Sequence, residues 1–133
     1  MTRTGRCLCG AVTLSTDHAL GPVTACHCGQ CRRQTGNYAA AVPVPWSALA
    51  VSGEVRWYAS SEGARRGFCP TCGSYLIWEE FDGTAYVMAG AFDGPTGLGM
   101  DGHLFYADRG DWYRAGDGLP CWAAGRSGPE VAP

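Results

Sequence analysis

The run Cys26-His27-Cys28-Gly29-Gln30-Cys31-Arg32-Arg33-Gln34-Thr35-Gly36 places three thiols within six residues and follows them with two arginines and a glycine. Disulfide partners need Cα atoms several ångströms apart in a defined geometry. A cluster this tight suits a soft metal ion better than structural cross-links. Three protein ligands on a tetrahedral ion leave a fourth position for water or substrate. The run therefore reads as an active-site loop, with the other cysteines holding the scaffold around it.

Working outward, Val23-Thr24-Ala25 predicts a short strand that delivers the chain to Cys26. Cys28 to Thr35 predicts a helical turn or two, stopped by Gly36. Alternation over Ala11–Ser15, with Val12 and Leu14 on one face, predicts a half-buried strand. Tyr38 to Val44, Leu49 to Ser52 and Val55 to Ala59 also read as strands, the first an edge strand because of Pro43. Ser60 to Ala64 reads as a surface loop. Asp82-Gly83, between Leu76-Ile77-Trp78 and Tyr86-Val87-Met88, is a hairpin turn signal. Ala91 to Gly102 reads as a glycine-rich loop and His103 to Ala107 as a further strand. Short strands with almost no helical periodicity predict a mainly β domain.

A second cysteine signature, Gly67-Phe68-Cys69-Pro70-Thr71-Cys72-Gly73, is a knuckle with two thiolates on one tight turn. Such a pair needs another to complete four-coordination. Cys7 and Cys9 are the natural candidates, because positions i and i+2 of an extended segment point the same way. A divalent ion against four thiolates keeps a net negative charge, which suits a closed, structural site. Cys26, Cys28 and Cys31 then form an open site, and Cys121 is left over as a packed thiol. Spacing alone also allows Cys26 and Cys28 to join Cys69 and Cys72. A redox pair at Cys28/Cys31 or Cys69/Cys72 lacks the βαβ context of a thioredoxin-like protein. All-thiolate ligation favours zinc, with iron as its main competitor. His27 should point away from the metal that its flanking cysteines face. His18 reads as solvated, and His103 as a packed histidine or, second, as a pocket wall. Arg32 and Arg33 could offset thiolate charge or clamp a substrate carboxylate, and Arg65 and Arg66 carry the same two readings.

Hydrophobic residues make up 46% and charged residues 17% of the 133, as in a globular chain. Twenty glycines and eight prolines favour strands joined by tight turns. The net charge of −2 gives no electrostatic case for nucleic acid or an anionic membrane. No stretch approaches the roughly 20 apolar residues of a membrane span. Met1–Arg6 leads into no apolar segment, so no secretory signal is expected and the cytoplasm is the expected compartment. In that compartment many cysteines point to metal or redox chemistry. The oligomeric state is not legible.

The set Gly5-x-Cys7-x-Cys9-Gly10-x-Val12, Cys26-His27-Cys28-x-x-Cys31-Arg32-x-x-Thr35-Gly36 and Phe68-Cys69-x-x-Cys72-Gly73-Ser74-x-Leu76 resembles the glutathione-dependent formaldehyde-activating enzyme family, also called the Gfa or centromere-protein-V family. The likeness extends to Gly53-Glu54, to His103 with Trp112, and to Asp117-Gly118-Leu119-Pro120. It implies a small zinc-binding β-sheet domain similar to the Mss4-like fold, spanning residues 5–124, with 125–133 as a flexible tail. Carried over by motif, Cys7, Cys9, Cys69 and Cys72 would hold a structural zinc. Cys26, Cys28 and Cys31 would hold a second, catalytic zinc, giving two per chain with partial occupancy of the second allowed. The implied reaction joins a small thiol, glutathione, to formaldehyde and gives S-hydroxymethylglutathione, in the carbon–sulfur lyase class. Arg32 and Arg33 would then be substrate-binding residues. A zinc-stabilised binding module and a thiol- or metal-buffering protein are the competing classes.

Overall fold

Alternating apolar residues, punctuated by glycine turns, build ten short strands, one α-helix and three single-turn 3-10 helices in the computed structural model, which describes residues 1–133. In chain order these are β1 (Arg3–Arg6), β2 (Thr13–Thr16), β3 (Val23–Cys26), α1 (Gly29–Thr35), β4 (Ala39–Pro45) and β5 (Leu49–Ser52). They continue as β6 (Arg56–Ser61), β7 (Ala64–Phe68), β8 (Tyr75–Glu80), β9 (Thr84–Met88) and β10 (Met100–Leu104). The chain is mainly β, and it divides into two compact units.

The first unit comprises Met1–Gly21 and Val42–Gly97. In it, β2 lies antiparallel between β1 and β5. The strands β6, β7, β8 and β9 form an antiparallel ladder in that order. The core of this unit is Cys7, Val12, Cys69, Leu76, Ile77 and Ala85, flanked by Trp46 and Trp57, so two thiols sit inside the hydrophobic cluster itself. Gly83, at φ 99°, makes the tight β8–β9 turn that Asp82-Gly83 predicts, and its carbonyl accepts from Trp46 N–H.

The ladder corrects one expectation. The stretch Arg65-Arg66-Gly67, just ahead of the knuckle, is the middle of a strand, β7, that the sequence did not predict, and Ser60–Ala64 spans the β6–β7 hairpin turn. The arginines are held on opposite faces of the strand. Arg65 pairs with Glu79 and lies over the Trp57 ring at 3.8 Å, while buried Arg66 donates to the Tyr75 hydroxyl at 3.1 Å. Both are thereby occupied as structural groups.

The second unit comprises Pro22–Ala41 and Leu98–Pro133. Here β3 pairs antiparallel with β4 and parallel with β10. A parallel neighbour needs a long connection, and β10 is indeed far along the chain from β3. The pairing of β4 with β3 ends at Ala41, and β9 is the other neighbour of β4. The strand is therefore internal, contrary to the edge position that Pro43 predicts. Pro43 lies beyond the last residue paired with β3, so that ladder needs no N–H from it. The buried cluster of this unit is Tyr106, Ala115 and Cys121. At the C-terminal end, Ala123 N–H donates to the Pro129 carbonyl and Val131 N–H to the Cys121 carbonyl.

Candidate functional site

In the first unit, two turns bring four sulfurs together. Cys7 follows β1 and opens a turn closed by Cys7 N–H to the Val12 carbonyl at 3.0 Å. Val12 N–H returns a bond to Cys7 Sγ at 3.3 Å. Cys69 follows β7 and opens the second turn, where Gly73 N–H donates to the Cys69 carbonyl at 2.8 Å. Thr71 and Cys72 N–H both aim at Cys69 Sγ, at 3.4 and 3.5 Å. Leu8 N–H donates to Ser74 Oγ at 2.9 Å and so ties one turn to the other. Cys9 Sγ lies 3.6 Å from Cys7 Sγ and 3.8 Å from Cys69 Sγ, and all four sulfurs lie within 4.8 Å of one another.

These spacings can be tested against a metal. Four sulfurs at about 2.3 Å from a tetrahedral zinc lie about 3.8 Å apart, which is the separation seen at Cys9 and Cys69. The thiols are free, and main-chain N–H donors point at the Cys7 and Cys69 sulfurs. The Ser74 hydroxyl, then its N–H, pulls the Cys72 thiol down to about 5. The cluster can hold a metal ion.

In the second unit, a strand end and a helix start converge. Cys26 is the last residue of β3, Cys28 caps α1, and Cys31 is buried in the first turn of α1. Cys31 N–H donates to Cys28 Sγ at 3.4 Å, so the cap is a sulfur in place of the usual oxygen. Gly36, at φ 85°, ends the helix as predicted, with its N–H on the Arg32 carbonyl at 2.9 Å. The three sulfurs lie within 4.8 Å of one another and can also hold a metal. Cys26 and Cys28 group with Cys31 and not with Cys69 and Cys72, an alternative that spacing alone left open.

The electrostatics of the trio favour a cation. Hydrogen bonds from the Cys26 and Cys31 thiols, helped against burial by Cys31 and Gln30 N–H, bring the Cys28 thiol down to about 2. Its bonds to Cys28 and Cys31, and then burial, push the Cys26 thiol far up. Cys28 is thus favoured as thiolate and Cys26 as thiol, and a positive charge in their midst would favour ionisation of both. Arg32 spends its Nε on the Asp108 carbonyl at 3.2 Å, and Arg33 is exposed.

One arrangement was missed in the sequence. His27 and His103 are both fully buried, and His27 Nε2 lies 2.9 Å from His103 Nδ1. His103 Nε2 in turn lies 2.8 Å from Asp117 Oδ2. Leu119 N–H, with His103, holds the Asp117 carboxyl below its usual range. Burial, with the nearby His103 and Arg109, brings His27 down to about 4, so its ring is neutral. Tyr38, Tyr106 and Tyr113 surround the His27 ring, with centroids 5.0–5.4 Å away. His18 is exposed, as expected.

Short antiparallel ladders carrying two thiol clusters define a small, mainly β protein with the ligand sets for metal binding. A family profile described as glutathione-dependent formaldehyde-activating enzyme matches residues 2–108, and the chain belongs to that family. Among curated proteins, it is 29% identical over 112 residues to an uncharacterized lyase of Schizosaccharomyces pombe, covering 82% of each chain. Among solved structures, it resembles a Rhodobacter sphaeroides protein with a TM-score of 0.59 and 25% identity, covering 71% of this chain and 91% of that one. These relationships support a function of the Gfa type. No helix is long and apolar enough to cross a membrane.

Proposed function

We propose that this protein is a zinc-dependent carbon–sulfur lyase-type enzyme acting on a thiol–aldehyde adduct, with glutathione and formaldehyde as the pair that forms S-hydroxymethylglutathione. The observation that carries this reading is the three-sulfur cluster Cys26/Cys28/Cys31, which has no fourth cysteine to close it. In this reading Cys7, Cys9, Cys69 and Cys72 hold the structural ion. The family to which the chain belongs supports the choice of thiol and aldehyde.

A zinc ion in the trio would supply Lewis acidity that lowers the pKa of a thiol entering its open position. The chain's own contribution is placement. Cys26 is fixed by the β3–β4 and β3–β10 pairings, and Cys28 and Cys31 by α1. In the reaction the thiol sulfur bonds to the carbonyl carbon, the C=O π pair moves to oxygen, and the thiol's proton ends on that oxygen. Glutathione carries two carboxylates, and Arg33, exposed two residues after Cys31, is placed to attract one of them. Arg32 adds positive charge to the same helix end.

The test is exchange-rate NMR with labelled formaldehyde and glutathione, comparing the zinc-loaded protein with Cys28→Ser. The expected result is adduct exchange faster than background for the native chain and at background for the variant. Background rates for both would refute the formaldehyde assignment.

A further inference from the structure

The hydrogen-bonded series Asp117–His103–His27 reaches the trio from outside its own loop. At a pH at which both imidazoles are neutral, only one proton arrangement satisfies it. A carboxylate accepts and cannot donate, so His103 carries its proton on Nε2. Its Nδ1 is then a bare acceptor, and His27 must carry its proton on Nε2 to fill the 2.9 Å contact. His27 Nδ1 is left bare, buried and without a partner, so the series ends there.

His27 is also gripped through its backbone. Its N–H donates to the Leu104 carbonyl at 2.9 Å, and Leu104 and His103 stand in register with Cys26 and Ala25 across the parallel β3–β10 pairing. The residue between two of the three sulfurs is therefore pinned at both its main chain and its ring. The leverage is large. Metal–sulfur distances tolerate about 0.2 Å, and Cys28 Sγ lies on an arm of about 5 Å from His27 Cα. A rotation of about 2° uses up that tolerance.

We infer that Asp117, His103 and His27 are positioning residues that lock the Cys26–Cys28 turn in its metal-receiving conformation, Asp117 acting through His103 and His103 through His27. This rests on the reading of the trio as a zinc site. Asp117 is the place to test it, because its side chain is 37% exposed and its loss spares the core.

The experiment follows zinc release from the doubly loaded protein into a chelator, for the native chain, Asp117→Ala, Asp117→Asn and His103→Asn. Asn at 117 keeps an acceptor for His103, and Asn at 103 keeps one for His27. The expected result is two release phases in the native chain. Asp117→Ala should weaken zinc retention in the trio about 10- to 100-fold, the range for lost partners behind metal ligands. The Cys7/Cys9/Cys69/Cys72 phase should not change, and Asp117→Asn should restore most of the loss. At a pH at which both imidazoles are neutral, ¹⁵N NMR of the native protein should show His27 protonated on Nε2 and bare on Nδ1. His103→Asn should retain that tautomer. Two phases in the native chain with unchanged trio release in Asp117→Ala would overturn the inference alone. One zinc in the native chain would overturn both the metal reading and the inference.

Discussion

Gly53→Ala tests whether backbone packing around the first cysteine turn controls the metal cluster without touching a ligand. Gly53 has φ 95°, and a Cβ there would stand 2.1 Å from the Ala11 carbonyl oxygen and 3.2 Å from Val12 Cα. Left-handed backbone costs an alanine about 1 kcal/mol. Relieving contact with a main-chain atom, which cannot rotate aside, adds about 2 kcal/mol. The total of about 3 kcal/mol corresponds to a melting point lower by about 12 °C in a chain of this size. Ala11 and Val12 belong to the turn that presents Cys7 and Cys9, and Val12 N–H bonds Cys7 Sγ. The displacement should therefore also loosen metal in that cluster. Calorimetry of the zinc-loaded protein and chelator-competition titration measure the two effects. Gly63→Ala, where an added Cβ meets nothing within 4 Å, is the control and should stay within about 0.5 kcal/mol of native. A Gly53→Ala protein that melts within about 2 °C of native with its metal retained would refute the reasoning.

Other outcomes follow from the same geometry. Cys69→Ser removes a fully buried ligand; a structural zinc contributes about 10–16 kcal/mol, as much as a whole domain's stability, so the variant should lack cooperative unfolding by circular dichroism. Arg33→Glu should raise KM for glutathione about 5- to 10-fold, through a charge interaction of about 1 kcal/mol, with zinc content unchanged by metal analysis; an unchanged KM removes Arg33 from substrate binding. Because the folded Asp117 carboxyl titrates lower than in the unfolded chain, the unfolded state takes up its proton first as pH falls. Its contribution is full above the ordinary carboxylate range and is lost as pH falls through the lower folded value. Acid titration of Asp117→Asn should show a shallower loss of stability there.

The parts of the fold that depend on local pattern were legible. Val12 and Leu14 alternate and are buried, Asp82-Gly83 makes its hairpin, and Gly36 stops α1 in the left-handed conformation. The trio and each half of the other group could be read because they are short-range. Cys7 and Cys9 could be joined to Cys69 and Cys72, with Cys69 lying 60 positions beyond Cys9, by counting the ligands a four-coordinate ion needs. β7 was hidden because Arg65 and Arg66 mask its alternation, and their compensation comes from Trp57, Glu79 and Tyr75 on neighbouring strands. The place of β4 was misread because Pro43 signals only that an N–H is missing. It does not say on which side, or where along the strand, pairing stops. His27, His103 and Asp117 could not be joined from the sequence, since their contacts span 76 and 14 positions. A histidine between two cysteines and a histidine before a strand each have many ordinary explanations.

The second unit is assembled from two separated stretches, Pro22–Ala41 and Leu98–Pro133, and this sets a timetable on the ribosome. The three thiols of α1 and its approach are made early, whereas β10 and Asp117 come much later. At about 5–20 residues per second, the gap of 76 residues between His27 and His103 lasts about 4–15 s. Through that interval the nascent chain carries Cys26, Cys28 and Cys31 without the strand that pins them. The second unit can close only after the whole first unit has been synthesised, so a metal caught early must be held by flexible thiols until the carboxyl-terminal stretch arrives.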